Sequence, residues 1–132
     1  MYIENKHKFK FPDEIREHYL TLNGGRTKRR IFLDDEYEFI VQQFIPSKAD
    51  IDGRNLDTVL DTLRHDNAIP NWLIPFADEP SGDLYCFSLD EDELGAIYYW
   101  DHESIDQPEE SYGYLSESLK EFIDSLVDSV NK

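Results

Sequence analysis

Apolar residues recur along this chain with two different periods, and the change between them predicts its secondary structure. A spacing of three to four positions is typical of a helix with one buried face, whereas a run of β-branched and aromatic residues is typical of a strand. The helical spacing occurs in three stretches: 12–22, 55–66 and 116–130. Pro12, Asn55 and Ser116 are the predicted starting residues, and Asn23-Gly24-Gly25 ends the first helix.

Strand-like runs lie between these helices. They cover 29–33, 37–45, 72–76, 84–89 and 96–100. The last two are separated by Asp90-Glu91-Asp92-Glu93-Leu94-Gly95, which predicts a hairpin with a solvated acidic turn. Because too few helices alternate with the strands for a doubly wound parallel sheet, the order of elements favours the α+β class.

The length and hydropathy of the chain limit its architecture. With 132 residues, no internal repeat and no low-complexity linker, the whole chain, 1–132, is predicted to form a single domain. The mean hydropathy is -0.64, and no run approaches the roughly 20 apolar residues of a membrane-spanning helix. The sequence turns polar directly after Met1-Tyr2-Ile3, without the pattern of an export signal, so we expect a soluble cytoplasmic protein. Cys86 is the single cysteine, and its aromatic surroundings predict a buried, inert thiol.

Charge is distributed unevenly between the two halves of the chain. The formal net charge is -16 at pH 7. Residues 1–65 carry 12 acidic and 11 basic side chains, whereas residues 66–132 carry 17 acidic side chains against only Lys120 and Lys132. Such a field repels nucleic acid and anionic lipid, and it attracts a cationic partner. Acidity that only maintains solubility is the alternative, and the asymmetry argues against it.

Acidic and aromatic side chains of the second half are the candidate partner contacts. The run 90–93 is either a solvated hairpin end that discourages edge pairing or a grip on a basic groove. Tyr98 and Trp100 share one face of their strand, and such residues are enriched at interfaces where a sheet face is left uncovered. The predicted contact set is Asp78, Glu79, Asp90, Glu91, Asp92, Glu93, Tyr98, Trp100, Asp106, Glu109 and Glu110.

A metal site or a catalytic centre is not supported by the sequence. The best candidate is Asp101-His102-Glu103, with Asp83 across the hairpin. Successive side chains of a strand point to opposite faces, so His102 shares a face with its acidic neighbours only if the strand has ended. We therefore expect Asp101 and His102 to satisfy polar groups where the strand leaves the sheet. Cys86 and the histidines form no nucleophile pattern, and no cofactor or metal is predicted.

A basic loop follows the first helix. Asn23-Gly24-Gly25 precedes Arg26, Lys28, Arg29 and Arg30, so glycine amides and cations lie together as in a phosphate-binding loop. The spacing of a Walker loop is missing, and a left-handed helix cap is a sufficient reason for the glycines. We expect a helix cap and a basic loop whose cations pair with the acidic half.

Three segments occur in an order that resembles a known family. They are Phe11-Pro12 opening a helix that ends at Leu22-Asn23-Gly24-Gly25, then Leu73-Ile74-Pro75-Phe76-Ala77 followed by Gly82-Asp83 and Tyr85-Cys86-Phe87-Ser88-Leu89, then Ile97-Tyr98-Tyr99-Trp100-Asp101-His102-Glu103. This order resembles the SUKH superfamily, which contains Syd, the yeast Smi/Knr cell-wall regulators and many bacterial immunity proteins. The family usually has a further helix before the Pro-led one. Only about eleven residues remain for it here, which leaves a trimmed or strand-like N-terminus as the expectation.

The resemblance implies a fold and a function. The implied fold is a single mixed, mostly antiparallel sheet flanked by helices. For bacterial members the implied function is immunity, in which a non-catalytic protein, expected here as a monomer or weak homodimer, neutralises a toxin that is often a nuclease. The acidic charge agrees, because nucleases present Lys and Arg to phosphates. A regulatory module that binds a small ligand or peptide on an aromatic sheet face is the alternative, and an enzyme is the least supported.

Overall fold

Four α-helices and seven strands make up the part of the chain that the structure describes. In this computed structural model that part comprises residues 2–22, 31–33, 38–41, 43–45, 55–65, 69–80, 82–102 and 111–126. The helices are α1 (Tyr2–His7), α2 (Asp13–Leu22), α3 (Leu56–His65) and α4 (Leu119–Asp124). The strands are β1 (Ile31–Leu33), β2 (Glu38–Ile40), β3 (Gln43–Phe44), β4 (Leu73–Asp78), β5 (Leu84–Ser88), β6 (Ile97–Trp100) and β7 (Tyr112–Ser116). A 3₁₀ turn, Glu91–Glu93, lies between β5 and β6.

The strands form two sheets, and the predicted α+β class is confirmed. Four strands in the order β4-β5-β6-β7 make the main sheet, and the two-residue β3 extends it beside β4. Strands β1 and β2 pair separately. The expected single mixed sheet was therefore wrong in two respects, since there are two sheets and every described pair is antiparallel. Short connections between β4, β5 and β6 explain why these strands are antiparallel, because a parallel pair needs a long crossover.

The predicted hairpin and helices are confirmed, with shifted boundaries. Strands β5 and β6 pair from Leu84 opposite Trp100 to Phe87 opposite Ile97. Helix α3 begins after Asn55, whose side-chain oxygen accepts the Thr58 N–H at 3.1 Å. The N-terminal segment is the helix α1, so a strand-like start is excluded. The predicted strand 37–45 is divided into β2 and β3, which pair with different neighbours.

Strand β7 is the element that the periodicity does not predict. Ser116 ends this strand, so the prediction that it begins the last helix was wrong. The N-cap of α4 is Ser118, whose hydroxyl accepts the Glu121 N–H at 3.1 Å. Val130, the predicted end of that helix, lies outside the described residues. The exposed Gly113, the second residue of β7, breaks the run of β-forming residues that would have indicated a strand.

One face of the main sheet carries an aromatic core. The ring of Phe122, from α4, packs against Tyr85 at a centroid distance of 5.6 Å and stacks on Phe32 of β1 at 5.1 Å. Phe11, directly before α2, packs against Phe87 at 5.8 Å. Helices α2 and α4 are joined by Glu14, whose carboxylate accepts the Leu119 N–H at 2.8 Å. Both helices and the small sheet are thereby fixed to this face.

The opposite face holds the cysteine. Cys86 is fully buried, and burial raises the pKa of its thiol far above the ordinary value. A thiol with a raised pKa has little reactive thiolate at neutral pH. The predicted buried cysteine is confirmed, and its environment disfavours a nucleophilic role.

Helix α1 ends in a left-handed residue that is not glycine. Lys8 has φ 59°, and the Phe9 N–H reaches back to the Glu4 carbonyl at 3.1 Å. This bond spans the last turn as in a Schellman motif, where glycine is preferred at the position that Lys8 occupies. A side chain in this conformation costs roughly 1–2 kcal/mol.

We expect Lys8→Gly to raise the free energy of unfolding by about 0.5–1 kcal/mol, because relief of the left-handed strain exceeds the entropy that glycine adds to the unfolded chain. Urea denaturation of both proteins measures the change. Lys10→Gly is the control, because Lys10 is not left-handed and its replacement is expected to stabilise nothing. A lower stability for Lys8→Gly would contradict this interpretation of the helix end.

Candidate partner-binding surface

The turn between β5 and β6 presents four carboxylates on a firmly held backbone. We call residues Asp90–Glu93 the acidic turn. Asp90 caps it by accepting the Asp92 N–H at 3.1 Å. The turn is closed by backbone bonds from Gly95 to the Ser88 carbonyl at 2.9 Å and from Ala96 to the Glu93 carbonyl at 3.0 Å. The carboxylates therefore extend from a defined scaffold.

Glycine is required where the acidic turn rejoins the sheet. Gly95 has φ 84°, a left-handed conformation that other residues rarely adopt. All four residues of the acidic turn are exposed, and none makes an ion pair within 4.0 Å in the described part of the chain. Their negative charge is consequently available to a partner.

An aromatic cluster adjoins the acidic turn through one hydrogen bond. The hydroxyl of Tyr98 donates to Glu93 Oε1 at 2.5 Å. Its ring has edge contacts with three other rings, those of Trp72 at 5.1 Å, Tyr112 at 5.9 Å and Tyr114 at 5.7 Å. We call these four residues the tyrosine patch. Burial, with Glu93 second, raises the pKa of Tyr98, so its hydroxyl stays protonated and keeps donating.

Tyr114 is the exposed member of the tyrosine patch. Its side chain is 54% exposed, whereas Tyr98 is 7% exposed. Burial raises the pKa of Tyr114, and the charges of Glu117, Glu121 and Glu93 add to the effect. The exposed ring thus lies in a negative field that continues from the acidic turn, which is a suitable environment for a cation over its face.

The predicted pair Tyr98 and Trp100 does share a sheet face, but neither ring is open to solvent. The two residues pair with Tyr114 and Tyr112 on β7, and Trp100 is only 2% exposed. The Trp100 indole N–H has no hydrogen-bond partner within the described structure. Tyr114, which the sequence did not indicate, supplies the exposed aromatic surface instead.

The other predicted acidic contacts do not form one surface with the acidic turn. Asp78 is buried at the end of β4 and pairs with Leu84, and Glu79 follows it half-buried. The strand β5 separates them from the acidic turn by about 17 Å, the rise of its five extended residues. Asp106, Glu109 and Glu110 lie outside the described residues.

A second polar cluster lies at the far end of the hairpin. Asp83 accepts hydrogen bonds from the Tyr99 hydroxyl and from the His102 backbone N–H, the latter at 3.0 Å, and its carboxylate also bonds the His102 ring. Strand β6 has ended at Trp100, so Asp101 and His102 are free of strict alternation. The His102 ring lies over Gly82, where a Cβ would be 3.4 Å from it.

This cluster fits a structural role better than a metal site. Ligand atoms of Asp83, Asp101 and His102 are within 4.8 Å of one another. The Asp83 oxygens are already occupied, however, by three hydrogen bonds from Tyr99 and His102. The predicted satisfaction of polar groups at the strand exit is confirmed for His102, through its bonds with Asp83, and stays a prediction for the Asp101 side chain.

Asp83→Asn is expected to lower the free energy of unfolding at pH 7 by about 2 kcal/mol, the value of charge-assisted bonds to a buried carboxylate. Burial alone would raise the pKa of Asp83, but the bonds from Tyr99 and His102 outweigh it and hold the pKa below its usual 3.8. The unfolded chain therefore binds this proton more readily, and the carboxylate stabilises the fold above about pH 4 and loses that effect as the pH falls further.

The difference in unfolding free energy between wild type and Asp83→Asn is the measured quantity, taken by urea denaturation at several pH values. It is expected to narrow from pH 5 toward pH 3. A difference that stays constant with pH would show that the substitution acts through packing and not through the charge.

A third cluster ties α1 to α3. Lys6 Nζ lies 2.9 Å from oxygens of both Asp57 and Asp61, and His7 Nε2 is 2.8 Å from Asp57. His7, Asp57 and Asp61 could hold a cation by distance. The ammonium group of Lys6 is already the cation bound by these aspartates, so the cluster is a set of ion pairs that connects the two helices.

Two of the first-half cations that the structure describes, Lys6 and Arg16, pair with first-half acids. Lys6 binds Asp57 and Asp61, and Arg16 binds Glu4 at 2.7 Å. None of these pairs reaches the acidic turn. The cations of the loop 26–30 lie outside the described residues, and so does the predicted helix cap at 23–25.

The sequence pattern of the SMI1/KNR4 family (SUKH-1) matches residues 2–125, nearly the whole chain. The chain belongs to this family. SUKH-1 includes immunity proteins, which are generally non-catalytic and act on a toxin partner. No curated protein and no solved structure matches the chain significantly. Within the described residues of this SUKH-1 protein, no helix is long and apolar enough to cross a membrane.

Proposed function

We propose that this SUKH-1 protein is an immunity protein that neutralises a cognate nuclease toxin in the cytoplasm. In this proposal the acidic turn enters the basic active-site groove of the toxin and occupies the groups that would otherwise bind phosphate. The observation that carries it is the set of four exposed carboxylates, held on one capped turn, that make no ion pair with any residue the structure describes.

Carboxylates are chemically suited to this task. Arg and Lys of a nuclease bind phosphate oxygens through charge-assisted hydrogen bonds, and a carboxylate offers the same planar pair of acceptors to a guanidinium group. Because the acidic turn is closed by its own backbone bonds, little conformational freedom is lost when it binds. The local charge of the turn would also increase the rate of encounter with a basic surface.

The tyrosine patch contributes a different part of the binding energy. Tyr114 offers a half-exposed ring next to the negative field of Glu93. A guanidinium or ammonium group of the toxin is attracted to such a face by about 0.5–2 kcal/mol. Charge would then supply speed, and the aromatic contact would slow dissociation.

A regulatory module with an aromatic ligand pocket has less support. That hypothesis depends on an open sheet face with Tyr98 and Trp100 available to a ligand. Both rings are buried, so a pocket between them would require the face to open.

Co-expression with the product of the adjacent gene tests the proposal. We expect the chain to rescue growth, to co-purify with that product, and to compete with a DNA or RNA oligonucleotide for its active site. Rescue by a complex that still binds the oligonucleotide with unchanged affinity would contradict blockade of the groove. Failure to rescue or bind would contradict the immunity function itself.

A further inference from the structure

A shallow cleft lies beside the acidic turn and has a different chemistry from it. Its volume is about 470 Å³, and it is formed between the connection from α1 to α2 and the residues that flank the acidic turn. Phe9, Pro12, Leu89 and Leu94 give it an apolar lining, and Leu94 is 57% exposed. An apolar side chain of a partner could pack against this lining and remove its apolar surface from water.

Two lysines line this cleft, and Asp13 lies on it as well. Lys8 and Lys10 are exposed, and neither makes an ion pair within 4.0 Å in the described part of the chain. By contrast, Lys6 and Lys120 bind aspartates at 2.9 and 2.7 Å. In a chain of net charge -16, two lysines without an ion pair among the described residues thus lie together at one apolar cleft. We call this site the lysine cleft.

The backbone at Lys8 gives no structural reason for a lysine at this position. The residue is left-handed at the end of α1, where glycine would be less strained. The strain has a structural origin in the helix end, but the lysine adds nothing to that motif. Lys8 instead lines the cleft and is exposed, so an anion could reach it.

We propose that the lysine cleft receives an apolar side chain flanked by a carboxylate from the toxin, while the acidic turn occupies the toxin's basic groove. This inference rests on the proposed immunity function and specifies the partner's surface. At the acidic turn this protein would present negative charge to positive charge on the toxin. At the lysine cleft it would present positive charge to negative charge on the toxin. A basic protein without the carboxylate would place cations against Lys8 and Lys10, so the cleft would select the cognate toxin and fix its orientation.

A pair of blocked tetrapeptides tests the cleft without the toxin. The probes are Ac-Glu-Leu-Phe-Glu-NH₂ and Ac-Lys-Leu-Phe-Lys-NH₂, titrated into the full ¹⁵N-labelled chain up to about 5 mM, where weak binding is detectable. The acidic peptide is expected to shift the amide signals of Lys8, Lys10, Leu89 and Leu94. The basic peptide is expected to shift the acidic turn instead.

Variants separate the role of charge from that of folding. The double substitution Lys8→Glu with Lys10→Glu is expected to lower the affinity for the acidic peptide at least about tenfold. The control Lys120→Glu replaces an exposed lysine elsewhere and is expected to leave that affinity unchanged. Lys8→Gly is expected to lower the affinity for the acidic peptide and at the same time to stabilise the fold. A purely structural role of Lys8 does not produce this combination.

Three results would overturn the inference. The first is the absence of cleft shifts with the acidic peptide, and the second is equal binding of both peptides there. The third is evidence of another occupant. Binding of decanoate more tightly than the acidic peptide would identify a small amphipathic anion, and a dimer of the chain that Lys8→Glu abolishes would identify a second copy. The acidic turn can still bind the basic peptide in each case, so the proposed function would survive the loss of this inference.

Discussion

Reversing two charges of the acidic turn is expected to slow association with the toxin by about 10- to 100-fold. The variant is Glu91→Lys with Asp92→Lys, which leaves the capping Asp90 and the Glu93 bond to Tyr98 intact. Because both side chains are exposed and have no ion pair among the residues with described positions, stability is expected to change by no more than about 0.5 kcal/mol. Stopped-flow measurement of the association rate gives the result.

A matched control distinguishes the acidic turn from the overall charge. Asp92→Lys and Glu17→Lys change the net charge equally, and Glu17 is exposed on α2, outside the acidic turn. Only Asp92→Lys is expected to slow association markedly. Equal effects of the two substitutions would mean that the total charge of the chain, and not this turn, determines the encounter.

Phe122→Ala is expected to lower the free energy of unfolding by about 3–5 kcal/mol, as for other buried aromatic residues truncated to alanine. Phe122 is fully buried and contacts Phe32, Phe76 and Tyr85 at centroid distances of 5.1, 6.0 and 5.6 Å. Its removal leaves a cavity where α4, the main sheet and the small sheet meet. The loss is a large part of the roughly 5–15 kcal/mol that stabilises an ordinary domain.

Chemical denaturation measures this loss, and Phe122→Leu is the control. Leucine refills part of the volume and is expected to cost much less than alanine. A loss below about 1.5 kcal/mol for Phe122→Ala would show that the site collapses around the substitution or that the small sheet contributes little to the fold.

The sequence predicted those helices and strands whose pattern of apolar and capping residues lies within the element itself. The hairpin was indicated by two apolar runs around Asp90–Gly95, and α3 by the cap at Asn55 and the stripe behind it. Strand β7 was missed because Gly113 and Ser116 within it, and Ser111 before it, weaken the strand signal. Its stability comes from pairing with β6, a contact that periodicity within the segment does not contain.

The candidate surface was predicted only where it is local. The acidic turn is a continuous run, so its position and exposure follow from the hairpin. That Tyr98 and Trp100 share a face follows from alternation, but their burial depends on distant contacts, such as Trp72 packing on Tyr98 at 5.1 Å. The alternation of Tyr112 and Tyr114 was a signal that could have revealed the exposed ring. The lysine cleft joins segments about eighty positions apart, and no sequence pattern indicates such a meeting.

The dependence of the association rate on salt tests the central claim most directly. The toxin domain and this SUKH-1 protein would be mixed at ionic strengths from about 0.01 to 1 M, over which the Debye length falls from about 30 to 3 Å. Capture by the acidic turn predicts a steep fall in the association rate, and a much shallower one for Glu91→Lys with Asp92→Lys. A rate that hardly changes with salt, or an equally steep fall for that variant, would contradict it.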